Sequence, residues 1–234
     1  GFGLNILKYV GRRVPCKRKT PFVNLGVHTP YELLNASGDV SQWVRKAVWM
    51  GHSALGICDR NTMGATLALQ KACDKAGIRP VIGYTCTLAH EGEKVEVKIY
   101  CQSQRGLRNL LRIQKAVMVD AADATVPLPE LLRRGEGNVL VFGKLSPYWM
   151  EKNLHAVKAL RETFDNVFYQ VDLSEYKAER LDAEVLKAIA HFFHTFYDEK
   201  NDSFLVEPIL IADCYYPDKD DARTKTVLNK IATG

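Results

Sequence analysis

The chain has 234 residues, of which 47% are hydrophobic and 25% are charged, and its net charge is +5. This size and composition allow a substantial core, in one large domain or two small ones. No apolar run approaches the roughly 20 residues that a membrane-spanning helix needs, so the sequence predicts no membrane partner.

The positive charge is concentrated in a basic N-terminal arm, residues 1–21, which carries six basic residues and no acidic residue. The remaining residues, 22–234, hold 26 basic and 27 acidic residues and are predicted to form a single domain. A near-neutral domain does not suit a nucleic-acid groove across its whole surface. The residues of the arm that could contact nucleic acid or another domain are Arg12, Arg13, Lys17, Arg18 and Lys19.

The six cysteines are widely spaced and form no Cys-x-x-Cys pair. Four of them lie in apolar segments that read as strands. Buried free thiols in a reducing cytoplasm fit this pattern better than a disulfide framework. We therefore expect a cytoplasmic protein.

Strands and helices alternate along the chain. Apolar segments predict strands over residues 22–28, 54–59, 79–88, 94–101, 138–142, 167–173 and 206–213. Apolar residues at helical spacing predict helices around residues 40–48, 69–76, 107–114, 157–164, 181–192 and 220–231. Asp39 or Ser41 could cap the first helix, and Gly77 is expected to end the second in a left-handed conformation. Residues 119–129 and 197–203 are predicted to be loops.

Strands and helices thus follow one another, and the strands are apolar throughout, without polar residues at every second position. This pattern predicts an α/β protein with a parallel sheet covered by helices. A closed barrel and an open sheet fit the order of elements equally well. Two of the strands end on side chains that could bind a metal or take part in catalysis, His28 and Asp59. Strand ends of this kind are where β/α proteins gather metal ligands and catalytic groups.

Six segments together resemble the PHP (polymerase and histidinol phosphatase) domain of the bacterial DNA polymerase III alpha subunit. They occur in the family's order: FVNLGVHTPYELLNASG, ALGICDRNTMGATLALQKACDKAGIRPVIG, QSQRGLRNLLRI, GNVLVFGKLS, VFYQVD and ILIADCYYPDKDDARTKTVLNKIATG. The resemblance spans residues 22–234 and implies a distorted (β/α)7 TIM-like barrel. Members with an intact site hold a cluster of metal ions at the carboxyl-end mouth and cleave phosphoesters.

The resemblance also shows which ligand positions differ. His28, Asp59 and Asp213 keep the family's ligand type, and Glu96 stands where the family has a histidine but could still coordinate. The other positions of the family's ligand set are occupied by Gly26, Arg60, Thr85, Lys144 and Tyr215. Each ion of such a cluster needs about four to six donors, so this set does not suit a cluster. We expect no cofactor, and the alternative is one weakly bound Zn or Mn ion.

Removing the cations would leave buried carboxylates without compensation, which costs several kcal/mol. Arg60 and Lys144 place fixed positive charge at two former ligand positions. We therefore hypothesise that ion pairs of these two side chains replace the metal cluster.

The resemblance implies an N-terminal module of a DNA polymerase III alpha-like protein, catalytically inactive by itself, that supports DNA replication or repair synthesis. Its implied partners are the remainder of the alpha subunit, the proofreading exonuclease and, through the parent protein, DNA. DNA-directed DNA polymerase activity would belong to that parent. One alternative is a metal-dependent phosphoesterase or nuclease with a reduced site, and another is a nucleic-acid-binding protein that uses the arm.

Four other polar or reactive residues are expected to have structural roles: His191, His194, Cys214 and Asp172. His191 and His194 are spaced for one face of a helix, but no carboxylate motif accompanies them. Cys214 follows Asp213 and has no partnered histidine, so an inert thiol is expected. Asp172 ends a strand and is expected to join the polar network of the mouth.

Overall fold

The computed structural model describes residues 23–32, 36, 38–173 and 183–215. The basic arm, with Arg12, Arg13, Lys17, Arg18 and Lys19, lies outside the described residues, as does the predicted helix 220–231. No helix of the described part is both long and apolar enough to cross a membrane.

The chain begins with two strand–helix units. Strand β1 (Asn24–Val27) is followed by helix α1 (Val40–Trp49), and strand β2 (Ala54–Ile57) by helix α2 (Thr66–Ala76). The Asp39 side chain caps α1 by accepting from the backbone N–H of Gln42, whose side chain accepts from the N–H of Asp39. Gly77 ends α2 at φ 71°, in the predicted left-handed conformation.

Strands β3 (Arg79–His90) and β4 (Glu93–Cys101) form an antiparallel hairpin. Its two-residue turn consists of Glu91 and Gly92, which both have positive φ, 49° and 78°. Such turns match the twist of antiparallel strands, whereas parallel neighbours need a long crossover connection. The predicted parallel sheet therefore contains one antiparallel strand, since β4 is antiparallel to both β3 and β6.

The middle of the chain contains two elements that were not predicted, a π-helical turn and a short strand. Helix α3 (Gln104–Lys115) continues into a π-helical turn, Ala116–Asp120. The predicted loop 119–129 then includes strand β5 (Thr125–Pro127), which pairs with the far end of β3, and the start of helix α4 (Leu128–Arg133). Strand β6 (Asn138–Phe142) has the predicted bounds.

The last part continues the alternation. It contains the elements α5 (Pro147–Lys152), α6 (Leu154–Thr163), β7 (Asn166–Val171), α7 (Ala183–Phe196), β8 (Tyr197–Asp198), β9 (Ser203–Phe204) and β10 (Glu207–Leu210). Helix α5 was not predicted. The predicted loop 197–203 is a small antiparallel hairpin, because Tyr197 and Phe204 pair across it with ring centroids 5.0 Å apart.

The main sheet has the strand order β1-β2-β3-β4-β6-β7-β10 and curls back toward its first strand. A parallel bridge between Val27 and Cys214 joins the two ends. In this bridge the N–H of His28 donates to the Cys214 carbonyl, and the N–H of Cys214 donates to the Gly26 carbonyl, each at 2.8 Å. The result is a distorted TIM-like barrel whose parallel strands share one carboxyl-end mouth.

Alternate residues of the strands face the two sides of this sheet. Val95, Val97 and Ile99 of β4 pack outward into the large core beneath the helices. Tyr100 belongs to a smaller apolar cluster with Cys58, Val141 and Ile211. Helices α1 and α2 share a third cluster, whereas Val48, near the end of α1, is 47% exposed.

Candidate functional site: a charged barrel mouth

The polar residues of the mouth come from the ends of six strands. Most lie just beyond, or at, the carboxyl ends of β1, β2, β6, β7 and β10, while the antiparallel strand β4 contributes from its middle. The site comprises His28, Glu32, Asp59, Arg60, Glu96, Lys98, Lys144, Gln170, Asp172 and Asp213. The structure thus brings together all the retained and replaced ligand positions for which a role was predicted.

His28 lies between two carboxylates. Its Nδ1 is 2.5 Å from Glu32 Oε2, and its Nε2 is 2.8 Å from Asp213 Oδ1. Burial lowers the pKa of His28, but the neighbouring Cys58 and the hydrogen bonds to Asp213 and Glu32 outweigh burial and raise this pKa well above 6.5. Both ring nitrogens can donate to these acceptors only as an imidazolium, which has no lone pair for a metal.

Asp59 is held by the segment that follows β1. Its two oxygens accept hydrogen bonds from the backbone N–H of Thr29 at 2.6 Å and from the Thr29 hydroxyl at 2.5 Å. Burial raises the pKa of Asp59 to about 6, and the two hydrogen bonds from Thr29 oppose that rise only in part. Asp59 is therefore engaged by neutral donors.

Asp213 is the centre of the network. Besides His28, its oxygens face Lys98 Nζ at 3.2 Å and Lys144 Nζ at 3.4 Å, and Gln170 Nε2 donates to Oδ2 at 3.1 Å. Burial raises the pKa of Asp213, but the hydrogen bond from His28 and the charges of Lys98, His28 and Lys144 hold it well below its usual range. Asp213 is thus a buried carboxylate that remains ionised.

Asp172 and Lys144 extend the network along β7. Lys144 Nζ lies 3.4 Å from Asp172 Oδ2, which also accepts from the backbone N–H of Asp213 at 3.2 Å. Burial lowers the pKa of Lys144, but the charges of Asp213 and Asp172 outweigh this effect, so that the pKa is raised above its usual value. Lys144 therefore bridges two carboxylates as a cation.

Arg60 and Glu96 form an ion pair at the outer edge of the mouth. Both side chains are part exposed, Arg60 by 41% and Glu96 by 28%. The backbone N–H of Arg60 donates to Glu32 Oε2 at 2.9 Å, which ties the end of β2 to the carboxylate beside His28. Of the two predicted replacement cations, Arg60 thus forms an ion pair with Glu96, and Lys144 forms ion pairs with Asp172 and Asp213.

Three further replaced positions are occupied by residues with structural contacts. A Cβ on Gly26 would lie 1.9 Å from the carbonyl oxygen of Ala212, so no side chain fits there without a backbone shift. Tyr215 stacks on the imidazole of His28, with ring centroids 4.3 Å apart and planes inclined by 19°. The Thr85 hydroxyl donates to the Cys58 carbonyl at 2.7 Å.

The mouth offers few donor groups for a metal cluster. Two groups could each offer three donor atoms within 4.8 Å of one another: His28, Cys58 and Asp213, and His28, Glu32 and Asp59. Both groups depend on the one imidazole, which lies between two carboxylates. Two ammonium groups also stand against Asp213, where cations would otherwise bind. The described residues therefore do not fit a cluster of several ions.

The sequence reasoning missed three residues of this network, Glu32, Lys98 and Gln170. Glu32 is four residues after His28 and 6% exposed. Lys98 is 1% exposed, and its Nζ donates to Gln170 Oε1 at 2.9 Å. The alternation of β4 held a usable signal, because Glu96 and Lys98 fall on the face opposite Val95, Val97 and Ile99.

The remaining candidates lie apart from the mouth. His191, on α7, contacts Glu151 Oε2 at 2.5 Å and stacks on Tyr148. His194 lies on an exposed position of the same helix. Burial raises the pKa of the Cys214 thiol, and this thiol donates to the Ala212 carbonyl at 3.3 Å.

A curled β/α sheet with a polar, carboxyl-end mouth defines a TIM-like barrel protein. The family model of the PHP domain matches residues 24–192, and the chain therefore belongs to the PHP domain family.

Its relatives include DNA polymerase III alpha subunits. That of Bacillus subtilis is 32% identical over 99 residues, which are 41% of this chain and 9% of the relative. That of Staphylococcus epidermidis is 29% identical over 119 residues, 51% of this chain and 11% of the relative. The chain thus matches about a tenth of the length of these relatives.

Two solved structures share the fold. One is an amidohydrolase from Chromobacterium violaceum, with a TM-score of 0.51 and 9% identity over 88% of this chain and 96% of that one. The other is a two-domain protein from Bacteroides vulgatus that contains a predicted PHP-like metal-dependent phosphoesterase. Its TM-score is 0.50 and its identity 13%, over 86% of this chain and 55% of that one.

Proposed function

We propose that this PHP domain is a structural and interaction module in which ion pairs take the place of the metal cluster. The observation that carries this proposal is the position of Lys98 and Lys144, whose ammonium groups stand 3.2 and 3.4 Å from the two oxygens of Asp213. A carboxylate that is neutralised in this way from two sides has little need of a metal cation.

The charge of the mouth supports the same proposal. Among the described residues, five carboxyl groups meet there: Glu32, Asp59, Glu96, Asp172 and Asp213. The side chains of Arg60, Lys98 and Lys144 carry three fixed positive charges, and a protonated His28 supplies a fourth. With Asp59 near its pKa of about 6, the network approaches neutrality with no metal. Buried charges are tolerated when they are paired in this manner.

The polymerase relatives supply the context of the module. We infer that the chain is the PHP domain, residues 22–234, of a DNA polymerase III alpha-like protein that acts in DNA replication or repair synthesis in the cytoplasm. Its partners would be the remainder of the alpha subunit and the proofreading exonuclease, and the parent protein would bind DNA and carry the nucleotidyltransferase activity. Matches to two alpha subunits and the five free thiols of the described chain support this inference.

Metal content tests the ion-paired mouth. The full chain is purified without added metal, and its zinc, manganese and iron are measured beside those of His28→Ala. We expect the two proteins to contain the same amount of each metal. A stoichiometric metal that is present in the wild type and lost in His28→Ala would overturn the proposal.

The gene tests the polymerase context. A polymerase palm encoded in the same reading frame beyond residue 234 is the expected result. A stop codon directly after this position would contradict the inference of a polymerase module.

One observation favours a second function, that of a phosphoesterase or nuclease with a reduced site. His28, Cys58 and Asp213 place three donor atoms within 4.8 Å and could hold a single Zn or Mn ion if the imidazole gave up its proton. Turnover of a phosphomonoester and of single-stranded DNA is measured with added Mn²⁺ or Zn²⁺. Activity that disappears in both His28→Ala and Asp213→Ala would favour this second function over the structural module.

A further inference from the structure

A second group of metal-ligating side chains lies away from the mouth, at the tip of the β3–β4 hairpin. His90 is the last residue of β3, Glu91 is the first residue of the turn, and His155 lies in the first turn of α6. The donor atoms of these three residues lie within 4.8 Å of one another. None of the three belongs to the network around Asp213.

The separation of the two imidazoles matches that of two ligands in a tetrahedral metal site. The Nε2 atoms of His90 and His155 are 3.3 Å apart, and Glu91 Oε1 is 3.7 Å from His90 Nε2. Zinc–nitrogen bonds of about 2.0–2.1 Å in tetrahedral geometry place two ligand nitrogens roughly 3.3–3.4 Å apart. The two imidazoles are thus already separated as two ligands of one ion would be.

Trp149 packs against the His90 imidazole, and the site is open to solvent. The His90 side chain is 17% exposed and meets Trp149 of α5 edge to face, with ring centroids 6.4 Å apart. Glu91 is 68% exposed, and Glu93 lies directly opposite His90 in the strand pairing. Two carboxylates therefore add negative charge near the imidazoles, although Glu93 also lies 3.5 Å from Lys152.

We propose that His90, His155 and Glu91 form a surface site for a borderline transition-metal ion such as Zn²⁺, with water completing the coordination. Two imidazoles and one carboxylate are typical donors for zinc. Since His90 and Glu91 belong to the hairpin and His155 to α6, a bound ion would join two elements that are distant in sequence. The bound ion would stabilise the packing of the β3–β4 hairpin tip against the start of α6.

Zinc titration of the full chain tests this site after the chain has been stripped of metal with a chelator. We expect one Zn²⁺ per chain in the wild type and in His194→Ala, a control that removes an exposed histidine of α7. His155→Ala should bind Zn²⁺ at least tenfold more weakly, and Glu91→Gln should show a smaller loss. Zinc should raise the melting temperature of the wild type but not that of His155→Ala.

Anomalous X-ray scattering from zinc-soaked crystals locates the ion, which is expected within about 2.1 Å of both Nε2 atoms. Equal zinc affinity and stoichiometry in the wild type and His155→Ala would overturn the proposal, as would an anomalous peak only in the barrel mouth. His155 is exposed, so its replacement by alanine should leave the fold intact. Metal lost with His155→Ala but kept in His28→Ala belongs to this site, which separates this test from that of the mouth.

Discussion

The ammonium group of Lys98 lies 3.2 Å from Asp213 Oδ1, and the two side chains are only 1% and 5% exposed. They come from β4, the antiparallel strand, and from the segment after β10. Removing one partner of a buried pair leaves the other charge uncompensated, which costs about 3–5 kcal/mol. We therefore expect Lys98→Met to lower the free energy of unfolding by an amount of this order, measured by chemical denaturation.

An exposed ion pair provides the control for this variant. Lys152 lies 3.5 Å from Glu93, and the two side chains are 68% and 46% exposed. Exposed pairs contribute about 0–1 kcal/mol, so Lys152→Met should have little effect. If Lys98→Met lowers the free energy of unfolding as little as Lys152→Met does, the buried lysine is not needed to compensate Asp213.

The second prediction concerns Gly26, which occupies one of the replaced ligand positions. A Cβ here would meet the Ala212 carbonyl oxygen at 1.9 Å, next to the bridge that closes the barrel. Gly26→Ala should therefore destabilise the fold by about 1–3 kcal/mol, the usual cost of overpacking. Thermal unfolding monitored by circular dichroism measures this loss.

Gly92→Asn is the matched change at an open position. No atom lies within 4 Å of a Cβ built there, and asparagine tolerates its φ of 78° better than most residues. A loss of less than about 1 kcal/mol is expected, since surface changes are usually mild. Gly26→Ala with wild-type stability would mean that a Cβ fits at this position without strain.

The third prediction is the pH dependence that Asp59 confers. Because the pKa of Asp59 is raised from 3.8 to about 6 in the folded protein, the native state holds a proton between these pH values that the unfolded state has lost. Its contribution to the free energy of unfolding therefore rises as the pH falls from 7 to 4, by at most about 1.4 kcal/mol per pH unit.

Asp59→Asn removes this proton while retaining an oxygen that can accept from the Thr29 N–H. We expect the difference in unfolding free energy between the wild type and Asp59→Asn to change with pH between 4 and 6, and to be flat above pH 7. Denaturant titrations at several pH values measure it. A difference that is constant from pH 4 to pH 7 would show that Asp59 has an ordinary pKa.

The fourth prediction concerns the start of α1, where the sequence left two candidate caps. The structure places Asp39 at the N-cap and Ser41 inside the helix. Loss of an N-cap side chain costs about 0.5–2 kcal/mol, so Asp39→Ala should destabilise the protein by this amount. Ser41→Ala should be nearly neutral in the same denaturation assay, and the reverse order of the two variants would contradict the assignment.

The helical spacing of apolar residues and the strand segments predicted most of the elements, because burial imposes a period on the sequence. The antiparallel direction of β4 was not predicted, although the two-residue turn of Glu91 and Gly92 requires an antiparallel pair. Short elements such as β5 and α5 were missed, since three to six residues carry too little periodicity to be distinguished from loops.

Most of the predicted residues of the mouth stand at family ligand positions, and Asp172 was predicted from its place at the end of a strand. His28, Asp59 and Asp213 could be found from the family positions, and so could the cations Arg60 and Lys144. The alternation of β4 could place Lys98 on the inner face, but it could not reveal its partner Gln170, because the two residues are 72 positions apart on β4 and β7. Their partner Asp213 comes from a third strand end, which only the closed barrel brings close.

The bridge between Val27 and Cys214 also has a consequence for folding kinetics. His28 and Asp213, which this bridge brings together, are 185 positions apart, whereas the β3–β4 hairpin closes through a two-residue turn. Loop-closure entropy and high contact order slow the formation of such distant contacts. During refolding, the hairpin should gain hydrogen-exchange protection early, and the stacking of Tyr215 on His28 should appear only with the final, slowest phase.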